Sequence, residues 1–257
     1  MVDLAAKLAA ELPQAVARGQ ISAHYQPQFD VATREIVAAE ALARWTHPEL
    51  GSIAPDVFIP LAEKLDLIDE LGDYMISLGC AAARDWQRQG HAIEVAVNVS
   101  ALQLTDPEFA RRLLRTVEDR GLAPHLLTIE VTESTEIIDV SVVAERLDWL
   151  RSVGVTISVD DFGTGHSSVE QVLDLRATEL KIDQSLTRDK SVAARTLLAA
   201  VVAFAHDKGL RVVAEGIETE AQLQRVRELR CDRAQGYLLG RPVDRAAFDA
   251  LLQAYDS

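Results

Sequence analysis

The chain has 257 residues, 48% of them apolar, with 40 Asp or Glu against 26 Lys or Arg and a formal net charge of −14. That length suits one compact unit, and the charge argues against a nonspecific role on DNA, which needs clustered Lys and Arg to displace phosphate counterions. Cys80 and Cys231 are too few for a disulfide scaffold and read as core packing in a reducing cytoplasm, and no apolar run is long enough to insert in a membrane.

The opening MVDLAAKLAAELPQAVARGQ sets acids and bases at helical spacing without a continuous apolar stretch. It predicts a surface helix over residues 1–20 rather than a signal peptide. A strand is expected at 23–29. Short apolar runs then keep ending in a carboxylate or amide: VAAE at Glu40, VAVN at Asn98, TIE at Glu130, SVDD at Asp160 and Asp161, and VVAE at Glu215. ELKID places Lys181 in a similar run, and a last strand near 232–237 carries Gln235. Helical spacing fills the intervals at 74–89, 109–120, 142–153, 193–208 and 220–230. Eight strand candidates alternating with helices over this length predict an α/β protein, one domain over 1–257 built as a (β/α)8 barrel of the TIM type, with room for an irregular first strand.

Side chains on a strand alternate between faces, so Ile129 and Val131 point one way while Thr128, Glu130 and Thr132 point the other. The same holds for Asn98 between Val97 and Val99, and for Lys181 between Leu180 and Ile182. If the apolar members pack on helices, the polar ones face inward. Barrel active sites sit at the C-terminal strand ends, where Glu40, Asn98, Glu130, Asp160, Lys181, Glu215 and Gln235 fall. Two carboxylates at about 4 Å repel by roughly 4 kcal/mol at an effective dielectric near 20, so several acids at one mouth require protons or metal. Carboxylates plus one Asn carbonyl, with no Cys set and no HExxH among the six His, favour hard Mg²⁺ or Mn²⁺ over Zn²⁺.

Plainer readings compete at each position. Asp160 and Asp161 before Phe162-Gly163-Thr164-Gly165 are also turn acids that would cap a helix near Ser167. GTGHSS lacks the third glycine of a dinucleotide fingerprint. A lone Lys181 would snorkel at a surface, Arg44 would balance nearby acids, and Glu218 and Glu220 would be first-turn helix acids, the reading kept for Glu220. His206-Asp207 precedes Lys208-Gly209 and reads as a helix end rather than a metal-binding pair.

In order along the chain stand YQPQ, Glu40-Ala41-Leu42 followed by Arg44 and Trp45, HPELG, FIPLAE, AVNVS, EVTES, DDFGTG, KID, AEGIE, QGY and RPV. This ordered set resembles the EAL-domain cyclic di-GMP phosphodiesterases over nearly the whole chain. The resemblance implies hydrolysis of cyclic di-GMP to linear pGpG by water activated between two Mg²⁺ or Mn²⁺ ions, with Ca²⁺ inhibitory. It implies that Glu40, Asn98, Glu130 and Asp160 hold one metal, and that Asp161 helps to hold a second close to Asp160. Glu215 then matches a general base, and Lys181 a residue that orients the water or stabilises developing charge. Gln26, Leu42, Arg44 and Gln235 match substrate-side positions, Arg44 as a phosphate clamp and Gln235 also as support for the attacking water. Glu133 and Glu218 match glutamates that hold the DDFGTG loop and its neighbour. A homodimer through the region after Asp161, and a sensory partner or a fused domain outside this sequence, are further expectations. His166 stands where the family more often has Tyr, and RATELKID lacks the usual proline, which bears on the loop and its regulation rather than on the chemistry. A silent cyclic di-GMP receptor and a barrel enzyme with Lys181 as Schiff-base nucleophile are the alternatives. Intact acids count against the first, and carboxylates that keep an amine protonated count against the second.

Overall fold

The structure, a computed structural model, describes residues 4–132, 140–163 and 169–255. Its centre is a closed ring of strands. β1 (Ile21–Asp30) is followed by β2 (Ile36–His47), β3 (Gly51–Ile53), β4 (Glu94–Val99), β5 (Leu127–Thr132), β6 (Thr156–Phe162), β7 (Glu179–Ile182), β8 (Arg211–Ala214) and β9 (Arg233–Ala234). From β2 through β4 to β9 the neighbours are parallel, while β1 closes the ring antiparallel to both β2 and β9. β3 folds back on the end of β2 outside the ring. The result is the expected (β/α)8 barrel with a reversed first strand. Only a few residues join β1 to β2, and so short a link can connect antiparallel strands alone. Asp30 Oδ1 holds that turn by accepting the amides of Ala32 and Thr33 at 2.8 and 2.7 Å.

The helices in chain order are α1 (Leu4–Glu11), α2 (Pro55–Lys64), α3 (Ile68–Arg88), α4 (Ala101–Thr105), α5 (Phe109–Arg120), α6 (Val140–Ser152), α7 (Val169–Asp174), α8 (Gln184–Arg188), α9 (Val192–Asp207), α10 (Glu220–Glu228) and α11 (Arg245–Tyr255). The five expected helices are present as α3, α5, α6, α9 and α10, although α3 starts at Ile68, before the expected boundary. Five more, α2, α4, α7, α8 and α11, lie outside the intervals expected for helices. Pro60 inside α2 reads as a breaker in sequence, α4 and α8 are single turns nucleated by the caps Ser100 and Asp183, and α11 follows a Pro-containing segment. The N-terminal helix is shorter than the 1–20 expected, because Pro13 turns the chain into a 3₁₀ segment at Leu12–Gln14. Nor does it lie free on the surface, since Leu8, Leu12 and Ala15 are buried. His47 Nε2 lies 2.6 Å from Glu11 Oε2, while its Nδ1 accepts the amides of Glu49 and Leu50 at 3.1 Å, so Nε2 carries the proton and donates to Glu11. Among the described residues no helix is long and apolar enough to cross a membrane.

Alternation along the strands produces two environments. Val95, Val97, Ile129, Val131, Ile157, Val159, Leu180 and Ile182 belong to a continuous apolar sleeve packed against Leu71, Ile76, Trp86, Leu113, Leu147 and Leu198 of the surrounding helices. The opposite faces carry Gln28, Glu40, Thr128, Glu130, Ser158, Asp160, Glu179, Lys181, Arg233 and Gln235, all buried. The lumen is therefore polar. Cys80 and Cys231 are buried, and burial pushes both thiols up to about 12, as core residues rather than reactive ones. α9 ends at Asp207 with Gly209 left-handed behind it, and His206 pairs with Asp232 at 3.2 Å, which makes His206-Asp207 a helix end.

The N-terminal mouth of the barrel is closed by two carboxylates and two guanidiniums. Arg211 donates to both oxygens of Glu94 at 3.0 and 2.8 Å and also to Glu179, and Arg233 forks onto the same Glu94 and approaches Glu179 at 3.8 Å. Burial alone would raise the Glu94 carboxyl, but the two guanidiniums outweigh it and hold the group below its ordinary value. Glu94→Ala is expected to destabilise the protein toward the low end of the about 3–5 kcal/mol typical of a broken buried pair, since Glu94 keeps some exposure. Urea unfolding at neutral pH checks this, and a loss below about 1 kcal/mol would mean that solvent already screens the cluster.

Candidate active site

At the opposite mouth, β7 delivers Lys181 to the centre of the lumen, where it is 1% exposed. Its Nζ lies 3.0 Å from Asp160 Oδ2, 3.0 Å from Glu130 Oε2, 2.9 Å from Glu215 Oε1 and 3.6 Å from Glu40 Oε2. These acids come from β2, β5, β6 and the residue after β8, so four separate strands converge on one ammonium. Burial opposes the charge on Lys181, but the carboxylates outweigh it and hold the amine well above its ordinary value. A Schiff-base nucleophile needs the reverse.

Glu40 is fixed from both sides. Asn98 Nδ2 donates to its Oε1 at 2.9 Å and Gln235 Nε2 to its Oε2 at 2.6 Å. Gln235 also donates to Gln26 Oε1 at 3.0 Å, and Gln26 Nε2 donates to the carbonyl of Gly240 at 3.0 Å. Gln26 thus supports Gln235 as well as lining the cleft. Burial would raise Glu40, yet Lys181 and these donors keep it below its ordinary value. Glu130 is different: it is fully buried, and neither oxygen makes a hydrogen bond although Lys181 Nζ lies 3.0 Å from Oε2. Burial and the charge of Glu40 push it well above the usual carboxylate range.

Asp160 and Asp161 are consecutive, and on a regular strand they would face opposite ways. The pairing of β6 with β7 shifts register between Val159 and Phe162, and Asp161 has a left-handed φ of +60°. This bulge turns both carboxylates toward the mouth, where oxygens of Asp160, Asp161 and Glu215 lie within 4.8 Å of one another. A second group, Glu40, Glu130 and Asp160, meets the same limit, so Asp160 belongs to both. Burial, then the charge of Asp160, raises Asp161 to about 6, and burial raises Glu215 to about 8. Both groups offer the oxygen-only donors that hard divalent cations take, and the orphaned oxygens of Glu130 are what such an ion would satisfy.

Two cavities flank the acids. One, of about 290 Å³, is walled by Asp183, Gln184, Arg188, Glu218 and Tyr237 beside Gln26, Glu215 and Gln235. The other, of about 570 Å³, is more apolar and runs under α2 and α3, with Ile59, Pro60, Leu71 and Met75 beside Asn98, Ser100 and Gln103. Leu42 borders both. Arg44 follows on the same face of β2, half-buried, with its Nη1 donating to the carbonyl of Ala43 at 2.9 Å. Sequence reasoning did not single out Asp183, Gln184, Arg188 or Tyr237, which reach the site from α8, its cap and the turn after β9. Glu218 pairs with Arg188 of α8 at 2.6 Å. Glu133, His166 and residues 164–168 of the DDFGTG loop lie outside the described residues. Glu220 is a first-turn helix acid, as expected.

The raised acids fix a pH dependence. In the unfolded chain Glu215 and Asp161 release their protons near 4.5 and 3.8, but when folded only near 8 and 6. Between those values the folded state binds more protons than the unfolded one, so stability falls as pH rises. In EDTA the melting temperature should drop from about pH 5 to about pH 8, and excess Mg²⁺ should flatten the decline by taking the place of the protons. A flat profile in EDTA would contradict the buried, mutually repelling arrangement.

Residues 9–242 match the EAL domain family. MucR of Pseudomonas aeruginosa, a bifunctional diguanylate cyclase/cyclic di-GMP phosphodiesterase, is 41% identical over 238 residues, 91% of this chain and 34% of that protein. The cyclic di-GMP phosphodiesterase NbdA of the same organism is 39% identical over 248 residues, 95% of this chain and 32% of that one. This chain therefore spans about a third of the length of these relatives. Among solved structures, the PaMucR phosphodiesterase in complex with c-di-GMP superposes with a TM-score of 0.88 at 39% identity, covering 94% of this chain and 99% of that one. The EAL enzyme Bd1971 with cAMP and cyclic-di-GMP bound gives 0.90 at 27% identity, covering 96% and 69%. The chain belongs to the EAL domain family.

Proposed function

We propose that this chain is a divalent-cation-dependent phosphodiesterase that hydrolyses cyclic di-GMP to linear pGpG. The observation that carries the reading is the pair of three-acid groups sharing Asp160 around a buried lysine. The phosphodiesterase activities of MucR and NbdA and the c-di-GMP complex of PaMucR support the choice of substrate. In this reading Glu40, Asn98, Glu130 and Asp160 would hold one Mg²⁺ or Mn²⁺, and Asp160 and Asp161 a second. Such ions, when bound, lower the pKa of water and offset charge on phosphorus.

The chain's own residues supply the rest. Glu215, whose carboxylate borders those of Asp160 and Asp161, accepts the proton of the attacking water. Lys181 holds the acids together and offsets negative charge developing in the transition state. Gln235, anchored by Gln26, keeps Glu40 oriented and leaves its own buried Oε1 without a partner, available to a donor such as water. Arg44 would swing its planar fork onto phosphate oxygens. The cavities on either side of the acids would take the two nucleotide halves. A homodimer would use the helices flanking β6, where Trp149, Val153 and Leu173 are exposed, and light scattering in solution tests it. A cytoplasmic setting agrees with two buried thiols, and a sensory domain or partner would supply the regulation.

Purified protein with cyclic di-GMP and Mg²⁺ or Mn²⁺, followed by nucleotide chromatography, should yield pGpG. Binding without product would leave a receptor instead. Ca²⁺, with longer bonds and looser geometry, should support binding but little turnover, and equal rates in Ca²⁺ and Mg²⁺ would remove the two-ion requirement. Glu40→Ala should abolish turnover with the fold intact. Glu215→Gln keeps size and reach but loses basicity, so turnover should fall by about 10²–10⁴ while binding survives. Binding lost together with activity would make Glu215 a metal ligand first.

A further inference from the structure

One short segment, from the end of β7 through α8, grips the chain around Glu215 at four points. Lys181 Nζ lies 2.9 Å from Glu215 Oε1, and the carbonyl of Ile182 accepts the Glu215 amide at 3.0 Å. Thr187 Oγ1 donates to the Glu215 carbonyl at 2.6 Å, and Arg188 pairs with Glu218 at 2.6 Å. Thr187 is buried and lines neither cavity beside the acids. A hydroxyl has one proton to give, and the other acceptor in reach, the carbonyl of Gln184, is farther at 3.2 Å, so the bond goes to Glu215. α8 is itself tied down from its far side, where Arg225 Nη1 of α10 donates to the carbonyls of Thr187 and Asp189 at 3.4 and 3.2 Å.

We infer that Thr187 is a positioning residue for Glu215: its hydroxyl pins the peptide plane that follows the acid and so sets where the carboxylate stands. The inference rests on the proposed role of Glu215 as general base and adds the group that aims it. The plane needs a tether because the next residue is Gly216, at φ +65°. A glycine offers little resistance to rotation of the plane before it, and such a rotation changes ψ at Glu215, whose Cα carries the side chain. The Glu215 amide is already bonded to β7 and its carboxylate faces Lys181, so the carbonyl is the remaining group of this residue for α8 to hold. Threonine suits the task, since β-branching restricts χ1 and a buried hydroxyl is presented with little further ordering. Placement matters because a displacement of about 1 Å in a reacting group can lower a rate about 10²-fold. Thr187 stands apart from both cavities, so its loss falls on proton transfer rather than on substrate binding.

Steady-state hydrolysis of cyclic di-GMP in Mg²⁺ by the full chain, beside calorimetric titration of cyclic di-GMP in Ca²⁺, tests the assignment. Thr187→Val removes the hydroxyl at nearly constant shape and should lower kcat about 10- to 100-fold, with KM and the affinity in Ca²⁺ within about twofold of wild type. Thr187→Ser restores the donor and should recover most of the rate. Thr187→Val and Glu215→Gln should not add: once the base is gone its aim no longer matters, so the double variant should turn over as slowly as Glu215→Gln alone. A general loosening of the fold would instead lower the rate by the same factor in both backgrounds. Additive effects, an unchanged kcat in Thr187→Val, a Thr187→Ser as slow as Thr187→Val, or binding lost together with rate would each overturn the positioning role. These outcomes leave the proposed activity standing. Glu215→Gln at the wild-type rate would overturn the general base and the positioning role with it, and a wild-type chain inert toward cyclic di-GMP would overturn the proposed function itself.

Discussion

The structure depends most on one buried ammonium. Without Lys181, Glu40, Glu130, Asp160 and Glu215 would meet in the lumen with only mutual repulsion between them, each close pair costing about 4 kcal/mol at an effective dielectric near 20. With it, three of the four acids gain a cation at 3.0 Å or less. The compensation is incomplete. Five ionised carboxylates, counting Asp161, against one ammonium leave four negative charges, the number that two divalent ions would cancel. The raised positions of Glu130, Asp161 and Glu215 are the same deficit expressed as retained protons. Retained protons meet part of that deficit, and two groups of oxygen-only donors could take hard cations to meet the rest.

Placing charge there requires a barrel with its apolar material on the outside. Strand alternation does this at no further cost: Glu130 lies between outward Ile129 and Val131, Lys181 between Leu180 and Ile182, and Glu40 between Ala39 and Ala41, all packed into the sleeve of helices. Both ends of the lumen are ionic but solve the charge problem differently. At the N-terminal mouth two guanidiniums meet Glu94 and Glu179, and the cluster is balanced. At the C-terminal mouth one lysine faces an excess of acids. The same barrel therefore carries a closed structural plug below and a cation-seeking site above.

This division explains what could be read from the sequence. Period two and period 3.6 are local signals, so the strand ends with Glu40, Asn98, Glu130, Asp160, Lys181 and Glu215 were legible, and so was the polar lumen. The reversed β1 is not visible in apolar periodicity, since a strand has the same alternation in either direction. α2 was hidden by Pro60, and with it one wall of the larger cavity. The bulge that turns Asp161 toward Asp160 arises from pairing with β7, a contact between distant residues that adjacent letters do not encode. Tyr237 was passed over because QGY drew attention to Gln235, and only the fold shows an aromatic ring sharing a wall with Glu215.

The glycines of AEGIE and QGY owe their place to a clamp around Glu215. Gly216 has φ +65°, and a Cβ there would fall 2.2 Å from Gln184 Cβ, so α8 presses directly on the backbone next to the acid. From the same helix Thr187 Oγ1 donates to the carbonyl of Glu215 at 2.6 Å. On the other side Gly236 lies against Ile217, whose amide donates to the carbonyl of Gln235 at 3.0 Å. The segment 215–217 is thus held between α8 and the turn after β9 by contacts that leave no room for side chains. Glu215 is presented by a backbone already fixed in place, so little conformational entropy remains to be lost when a ligand engages it. Strain at Asp161 and close packing at Gly216 and Gly236 serve one end: the carboxylates that repel one another are kept together by the fold before any cation arrives.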